Sequence, residues 1–351
     1  MKSHRMGIRA CQILTAILCL TLMTTCTRKS MDNPDLDDKA FSAGASDAAY
    51  PRKIVLLRYT GARGSITHLA AQRFKESLEQ QSSGRFLVDI YPESALGNSS
   101  DMAYAMRYGF VTMHIGDPLF DIEKYLSWTT VSDDLTSYRE ALDQGTVREK
   151  LNAACLEAGV LFLGSISDEY YYLASDRPVE ALADINGLRV AETTLPLPNL
   201  WELFEGTSYL CKKDQVFPLA QHKAIDAMHD SLQVNLSSQL PSLLPYLICL
   251  NQRIYSRLVY INRRFYDALL PEEQAMVEQA VEDTRQSVSE HVVRQNEEIL
   301  SAYKNLGGSI LVPTEEFQEA FRQELNNSGL LEATYGESLV TEIQAVFEAM
   351  S

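Results

Sequence analysis

From residue 53 onward the chain alternates short apolar runs with helix-spaced apolar positions. Lys53-Ile54-Val55-Leu56-Leu57-Arg58-Tyr59 suits a buried parallel strand. The turn Thr60-Gly61-Ala62-Arg63-Gly64-Ser65 follows. From Ile66 to Gln80, Leu69, Ala70, Phe74 and Leu78 share one helical face, and Ser82-Ser83-Gly84 stops that helix. Phe86 to Tyr91 is a second strand, Ser94 to Asn98 a turn, and Ser99-Ser100-Asp101 caps a helix reaching about Gly109. Phe110 to Ile115 is a third strand. This βαβαβ order predicts a parallel sheet with right-handed crossovers.

Farther on, Leu135 to Gly159 has helical spacing and Val160 to Gly164 is a buried strand. Glu169 to Ser175 is expected as a strand crossing into a second lobe. Gly187–Ala191, Ala224–Met228 and Leu258–Asn262 are strands, Asn199–Glu205 is a short helix, and Asp214 caps a helix to about Lys223. Leu270-Pro271-Glu272-Glu273 opens a long helix, with Pro in the first turn and acids at the dipole's positive end, and Gly307-Gly308 closes it. Ile310-Leu311-Val312 and two amphipathic helices finish the chain. The stretch from Leu330 to Met350 is expected to pack on the body.

The first 25 residues differ. They carry Lys2, Arg5 and Arg9, no acid, and an apolar run from Ile13 to Met23, too short to span a membrane and typical of a secretory leader. Leu22-Met23-Thr24-Thr25-Cys26 resembles a bacterial lipobox, with Met23 and Thr25 departing from its usual residues. We expect a leader over 1–25, lipidation (palmitate among the acyl groups) at Cys26, and a polar, aperiodic tether over 26–49. That places the protein on the periplasmic side of the cell membrane, lipid-anchored. Of 351 residues, 46% are hydrophobic and 22% charged, which excludes disordered and fibrous classes. The formal net charge is −16, or about −19 without the leader, and repels nucleic acid. Cys155, Cys211 and Cys249 are expected as buried apolar residues with at most one bridge.

Several stretches, in this order, resemble one family: Leu57-Arg58-Tyr59 with His68 to Phe74; Gly84-Arg85-Phe86 and Tyr91-Pro92 with Ala95-Leu96-Gly97; Arg177-Pro178-Val179 with Leu182 to Val190; Gln221 to Asp226; and Leu269 to Gln274. They are similar to the solute-binding proteins of tripartite ATP-independent periplasmic (TRAP) transporters, the DctP-like family. The resemblance spans about residues 53–325. It implies an α/β, two-lobe periplasmic-binding-protein fold with crossing strands and a long connecting helix. Lobe 1 would be 50–168 with part of the C-terminal region, lobe 2 would be 169–262, and 263–351 would pack across both. It implies a receptor rather than an enzyme, without cofactor or metal. Its partners would be a small-molecule solute and the TRAP integral-membrane subunits.

The resemblance also implies a cleft between the lobes, lined by loops after strand ends. We place Tyr59, Thr60, Gly61, Gly116, Asp117, Tyr170, Tyr171, Arg189, Ala191, Glu192 and Asp230 there. Most family members hold a carboxylate with an Arg where this chain has Ala191. The guanidinium fork matches a carboxylate, so its loss has consequences. Arg189 takes the family's Lys position and shares Ala191's face, so it either reaches the cleft rim or is a solvated strand-end Arg. Asp230 replaces a family Asn and would repel a carboxylate. Tyr170, in the run Tyr170-Tyr171-Tyr172, replaces a further family Arg. The solute is therefore expected to be hydrophobic or uncharged. Alternatives are a cation held by Asp230 with Asp117 or Glu192, a carboxylate bound by Arg189, or a scaffold lipoprotein of the same fold without transport partners.

Other chemistries are weaker. His222, Asp226, His229 and Asp230 are ligand types, but Asp226 is expected in a strand, which breaks the helical spacing. No Gly-x-Ser-x-Gly elbow and no Gly-Lys-Ser/Thr loop exists. The 60–65 turn precedes a helix and has the form of an anion-holding loop. Leu197, Trp201 and Phe204 share a face, which favours core over ligand platform for Trp201.

Overall fold

The computed structural model describes residues 51–350 except 98, 121, 123–125, 127–134, 144, 194–196, 238 and 251–253. The leader, Cys26 and the tether lie outside the described residues. Tyr50–Ser351 forms one compact unit.

The opening units are as the pattern predicts. Strand β1 (Lys53–Tyr59), helix α1 (Ile66–Gln81), β2 (Phe86–Pro92), α2 (Ser99–Tyr108) and β3 (Met113–Gly116) run in order. Both β2 and β3 pair with β1 in parallel. β3 starts three residues later than expected, because the N–H groups of Phe110 and Val111 donate back to the Ala105 carbonyl and prolong the helix end. The helix expected over 135–159 is two, α3 (Leu135–Asp143) and α4 (Gly145–Glu157), and Gly145 at φ +70° opens the second.

β4 (Val160–Ser175) joins the two strands expected at 160–164 and 169–175 into one. Its first part pairs antiparallel with β9 (Ile254–Asn262), with register shifts near Gly164 and Ser167. Its last five residues pair with β7 (Ala227–Ser231). β5 (Arg189–Glu192) and β6 (Thr207–Leu210) run parallel beside β7. β7 begins later than expected, since Lys223 at φ +52° turns the chain and Asp226 N–H donates to the Arg189 carbonyl. The order is β2-β1-β3-β9-β4-β7-β5-β6, with β8 (Tyr246–Ile248) on β4 and β10 (Ser309–Leu311) on β8.

Helix α5 (Pro271–Asn305) lies along the body, its Val277, Ala280 and Val288 buried with Val55, Leu57 and Phe74. Each such burial contributes roughly 1.5–3 kcal/mol. Three C-terminal helices, Glu315–Asn327, Leu330–Tyr335 and Glu337–Met350, stand where two were expected. Leu331, Val340 and Ile343 join the main core, so this stretch packs on the body.

Candidate functional site: the strand ends on either side of the crossing

β3 and β4 both run antiparallel to β9, so they point the same way. The carboxyl end of the first half-sheet is therefore near Gly116, Leu258 and Ser165. Past it, β4 continues to Tyr171, which faces Ser231 at the carboxyl end of β7. The carboxyl ends of both half-sheets thus meet across Ser165–Tyr171, where open α/β sheets bind ligands.

On the first side, Thr60, Gly61, Gly116 and Asp117 come together. Thr60 Oγ1 accepts from Arg58 Nη1 and Asp117 N, each at 3.3 Å. A Cβ on Gly116 would lie 2.0 Å from that oxygen, so the position requires glycine. Gly61 N donates to Glu93 Oε2 at 3.0 Å. The anion held by the 60–65 turn is thus the chain's own Glu93. Arg58 is fully buried, 3.1 Å from Glu93 and bonded to the Gly97 carbonyl, and burial pushes its guanidinium pKa down against the pull of Glu93. His114 beside it is buried, and desolvation with the Arg58 charge lowers its pKa to about 3. Tyr59 alternates to the other face, buried against His68 at 5.1 Å between rings.

On the second side, Glu192 ends β5 and Asp230 is the penultimate residue of β7, both buried. Glu192 Oε1 lies 2.8 Å from His229 Nδ1, while its Oε2 is buried and has no hydrogen-bond partner among the described residues. Asp230 accepts from the Thr193 hydroxyl and from Ser231 N. Tyr171 and Trp201 each set a ring edge-on to His229, at 5.2 Å. Trp201 is wholly buried, as its spacing suggested. Ala191 is also wholly buried, and Tyr170 is half-buried against the core.

Arg189 is not with these residues. It begins β5, whereas Glu192 ends it, and its fork closes on Asp226 at 2.8 and 2.7 Å. The shared strand face did not bring it to the rim, because Asp226 captures the guanidinium at the opposite end. Asp226 is thereby held below the usual carboxylate range. With Asp226 on Arg189, His229 on Glu192 and Asp230 on Thr193, three of the four ligand-type residues serve separate partners. Among the described residues no group of three His, Cys, Asp or Glu could hold a metal.

The crossing carries ions that sequence reasoning passed over. Arg257 Nη1 binds Glu169 Oε1 at 2.7 Å and Ser167 at 3.0 Å, with both charged side chains buried. Asp168 accepts from Arg139 at 3.1 Å and from Ser165 at 3.0 Å. The available signal was a charged residue inside an apolar run, as in Ile254-Tyr255-Ser256-Arg257-Leu258-Val259. Cys155, Cys211 and Cys249 form no disulfide among the described residues; Cys155 and Cys211 are buried and Cys249 is half-buried.

Two half-sheets joined by crossing strands, with polar strand ends turned toward each other, define a two-lobe periplasmic binding protein. Residues 58–329 match the family model described as bacterial extracellular solute-binding protein, family 7 (DctP). The chain belongs to this family, whose members are receptors rather than enzymes and work with TRAP membrane subunits. It is 22% identical over 277 residues to the 2,3-diketo-L-gulonate-binding periplasmic protein YiaO of Escherichia coli, covering 77% of this chain and 83% of that one. Its fold matches a TRAP periplasmic solute-binding protein of Ochrobactrum anthropi, solved with its C-terminus in the ligand-binding pocket (TM-score 0.78, 19% identity, 86% and 96% covered). It also matches one from Pseudomonas putida with bound D-glucuronate (TM-score 0.70, 15% identity, 85% and 97% covered). Among the described residues no helix is long and apolar enough to cross a membrane.

Proposed function

We propose that this receptor captures a small hydrophobic or uncharged solute between its strand ends and delivers it to the TRAP membrane subunits. One observation carries the reading. Of the arginines near the strand ends and the crossing, Arg58, Arg139 and Arg257 are each already joined to a carboxylate of the chain itself, and Arg63 is exposed in the 60–65 turn. With Ala191 at the position where the resembled family has Arg, a carboxylate solute lacks the fork it would need. The buried Oε2 of Glu192 supports a second reading, a solute with an ammonium or another strong donor. The proposed lobe boundaries fall in β4 near residue 168. We further propose that Cys26 is acylated after leader removal. The 23 residues after it, 27–49, would give a reach of roughly 25–30 Å.

The protein is purified natively without refolding and its bound small molecules are identified by mass spectrometry. A neutral solute is expected; recovery of a mono- or dicarboxylate alone refutes the reading, and recovery of an amine favours the second one. For the anchor, wild type is expected to partition with membranes and carry an acyl mass that Cys26→Ser lacks.

A further inference from the structure

Of the three carboxylates that hold arginines at the strand ends and the crossing, one differs in kind. The side chains of Asp168 and Glu169 are 0% and 7% exposed, whereas that of Glu93 is 36% exposed. Glu93 opens a one-turn helix, Glu93–Leu96, at the carboxyl end of β2, on the first side of the candidate site. Its two oxygens are divided. Oε1 lies 3.1 Å from Arg58 Nη2, and Oε2 accepts from Gly61 N at 3.0 Å. A guanidinium and a backbone N–H converging on one carboxylate make an anion cradle, with charge-assisted hydrogen bonds on both oxygens.

The parts of this cradle are held in place by groups other than Glu93. Arg58, wholly buried, also donates to Thr60 Oγ1 at 3.3 Å and to the Gly97 carbonyl at 3.1 Å. The Gly61 N–H belongs to the peptide whose carbonyl, that of Thr60, accepts from the Thr67 hydroxyl on α1. Gly61 is at φ +89°, a conformation that favours glycine. Arg58 Nε is buried and has no hydrogen-bond partner among the described residues, so the guanidinium keeps a donor to spare. The charges that act on Arg58 are Glu93 and, more weakly, Asp117. Arg63, exposed in the same turn, acts on Tyr59 and His68.

We propose that Glu93 is a specificity-determining residue: as the chain's own carboxylate it fills an anion cradle at the strand ends and so excludes acidic solutes. This role rests on the neutral-solute reading and names a residue that enforces it. A neutral solute meets a cradle already neutralised, whereas an organic acid meets Glu93. Without Glu93, Arg58 and the Gly61 N–H would take the carboxylate of a solute instead.

Acetate is the probe, because it is the fragment that Glu93→Ala deletes. Wild type and Glu93→Ala are compared by thermal melts and calorimetric titration with acetate and succinate, with acetamide and sodium chloride as controls. Glu93→Ala should lose stability in chloride and regain it in either carboxylate, binding each about tenfold or more tightly than wild type does. Acetamide, of similar shape but neutral, should not restore it. Arg63→Gln added to Glu93→Ala should leave the gain unchanged, and Arg58→Met should abolish it. If Glu93→Ala is unfolded in chloride, recovery of its native circular dichroism spectrum in acetate but not in acetamide upholds the proposal, and no recovery overturns it. No gain in carboxylate affinity over wild type, an equal gain for acetamide, or a gain that vanishes with Arg63→Gln also overturns it. Wild type that binds succinate while Glu93→Ala binds it tenfold tighter upholds the role of Glu93 and refutes the neutral-solute reading. Wild type and variant that both bind no acid refute the role of Glu93 and leave that reading standing.

Discussion

Glu169→Gln should be among the most damaging single changes in the protein. Glu169 and Arg257 face each other where β4 and β9 cross, with side chains 7% and 6% exposed and 2.7 Å between Oε1 and Nη1. At an effective dielectric of about 20, their attraction is roughly 6 kcal/mol, most of it offset by taking both ions out of water. Removing one partner keeps the desolvation cost of the other and forfeits the attraction. The expected loss is about 3–5 kcal/mol. For a domain of this size the melting temperature should fall by roughly 6–20 °C. Glu169→Leu combined with Arg257→Met removes both ions and should recover most of the loss. Urea unfolding of the single variants and the double variant closes the cycle. A Glu169→Gln loss below about 1 kcal/mol, or a double variant as unstable as the single, would refute the pairing as described.

Three further outcomes follow from the strand ends. His114, with its pKa lowered to about 3 in the folded protein, should make stability fall as pH drops, because the unfolded chain takes up its proton near pH 6.5. The stabilisation is complete above about pH 6.5 and declines by about 1.4 kcal/mol per pH unit down to about pH 3; His114→Gln should flatten that part of a stability–pH profile measured with denaturant. Gly116→Ala should cost about 1–3 kcal/mol, since its Cβ would displace Thr60 Oγ1 from Arg58 and Asp117, and adding Thr60→Gly should restore much of it in the same urea assay. Asp226→Asn should flatten the acid limb of stability: the depressed carboxyl pKa stabilises fully above its unfolded value near 3.8 and progressively less as pH falls through the folded one, so a melt series below about pH 4 distinguishes variant from wild type.

Much of the fold was legible because burial leaves a period. The apolar run of β1, whose Val55, Leu57 and Tyr59 are buried, and the apolar stripe of α1 were visible without coordinates. Element ends were less legible. The delayed starts of β3 and β7 rest on turn hydrogen bonds that have no apolar signature. Of the candidate site, Thr60, Gly61, Gly116 and Asp117 were chosen from one side, and Ala191, Glu192 and Asp230 from the other, and the structure brings each set together at its strand ends. Arg189 was misplaced because strand spacing gives the face of a side chain but not the partner that holds it.

By itself the sequence determined the opening order of strands and helices, the parallel start and the family resemblance. These depend on residue type and short-range spacing, which the chain carries directly. The tertiary structure alone decided which charges meet. Arg257 and Glu169 are 88 residues apart, and Arg189 and Asp226 are 37 apart. Their pairing depends on which strand crosses which and in what register. A charge finds its counter-ion through space, and burial, set by packing from many elements at once, then makes that pairing obligatory.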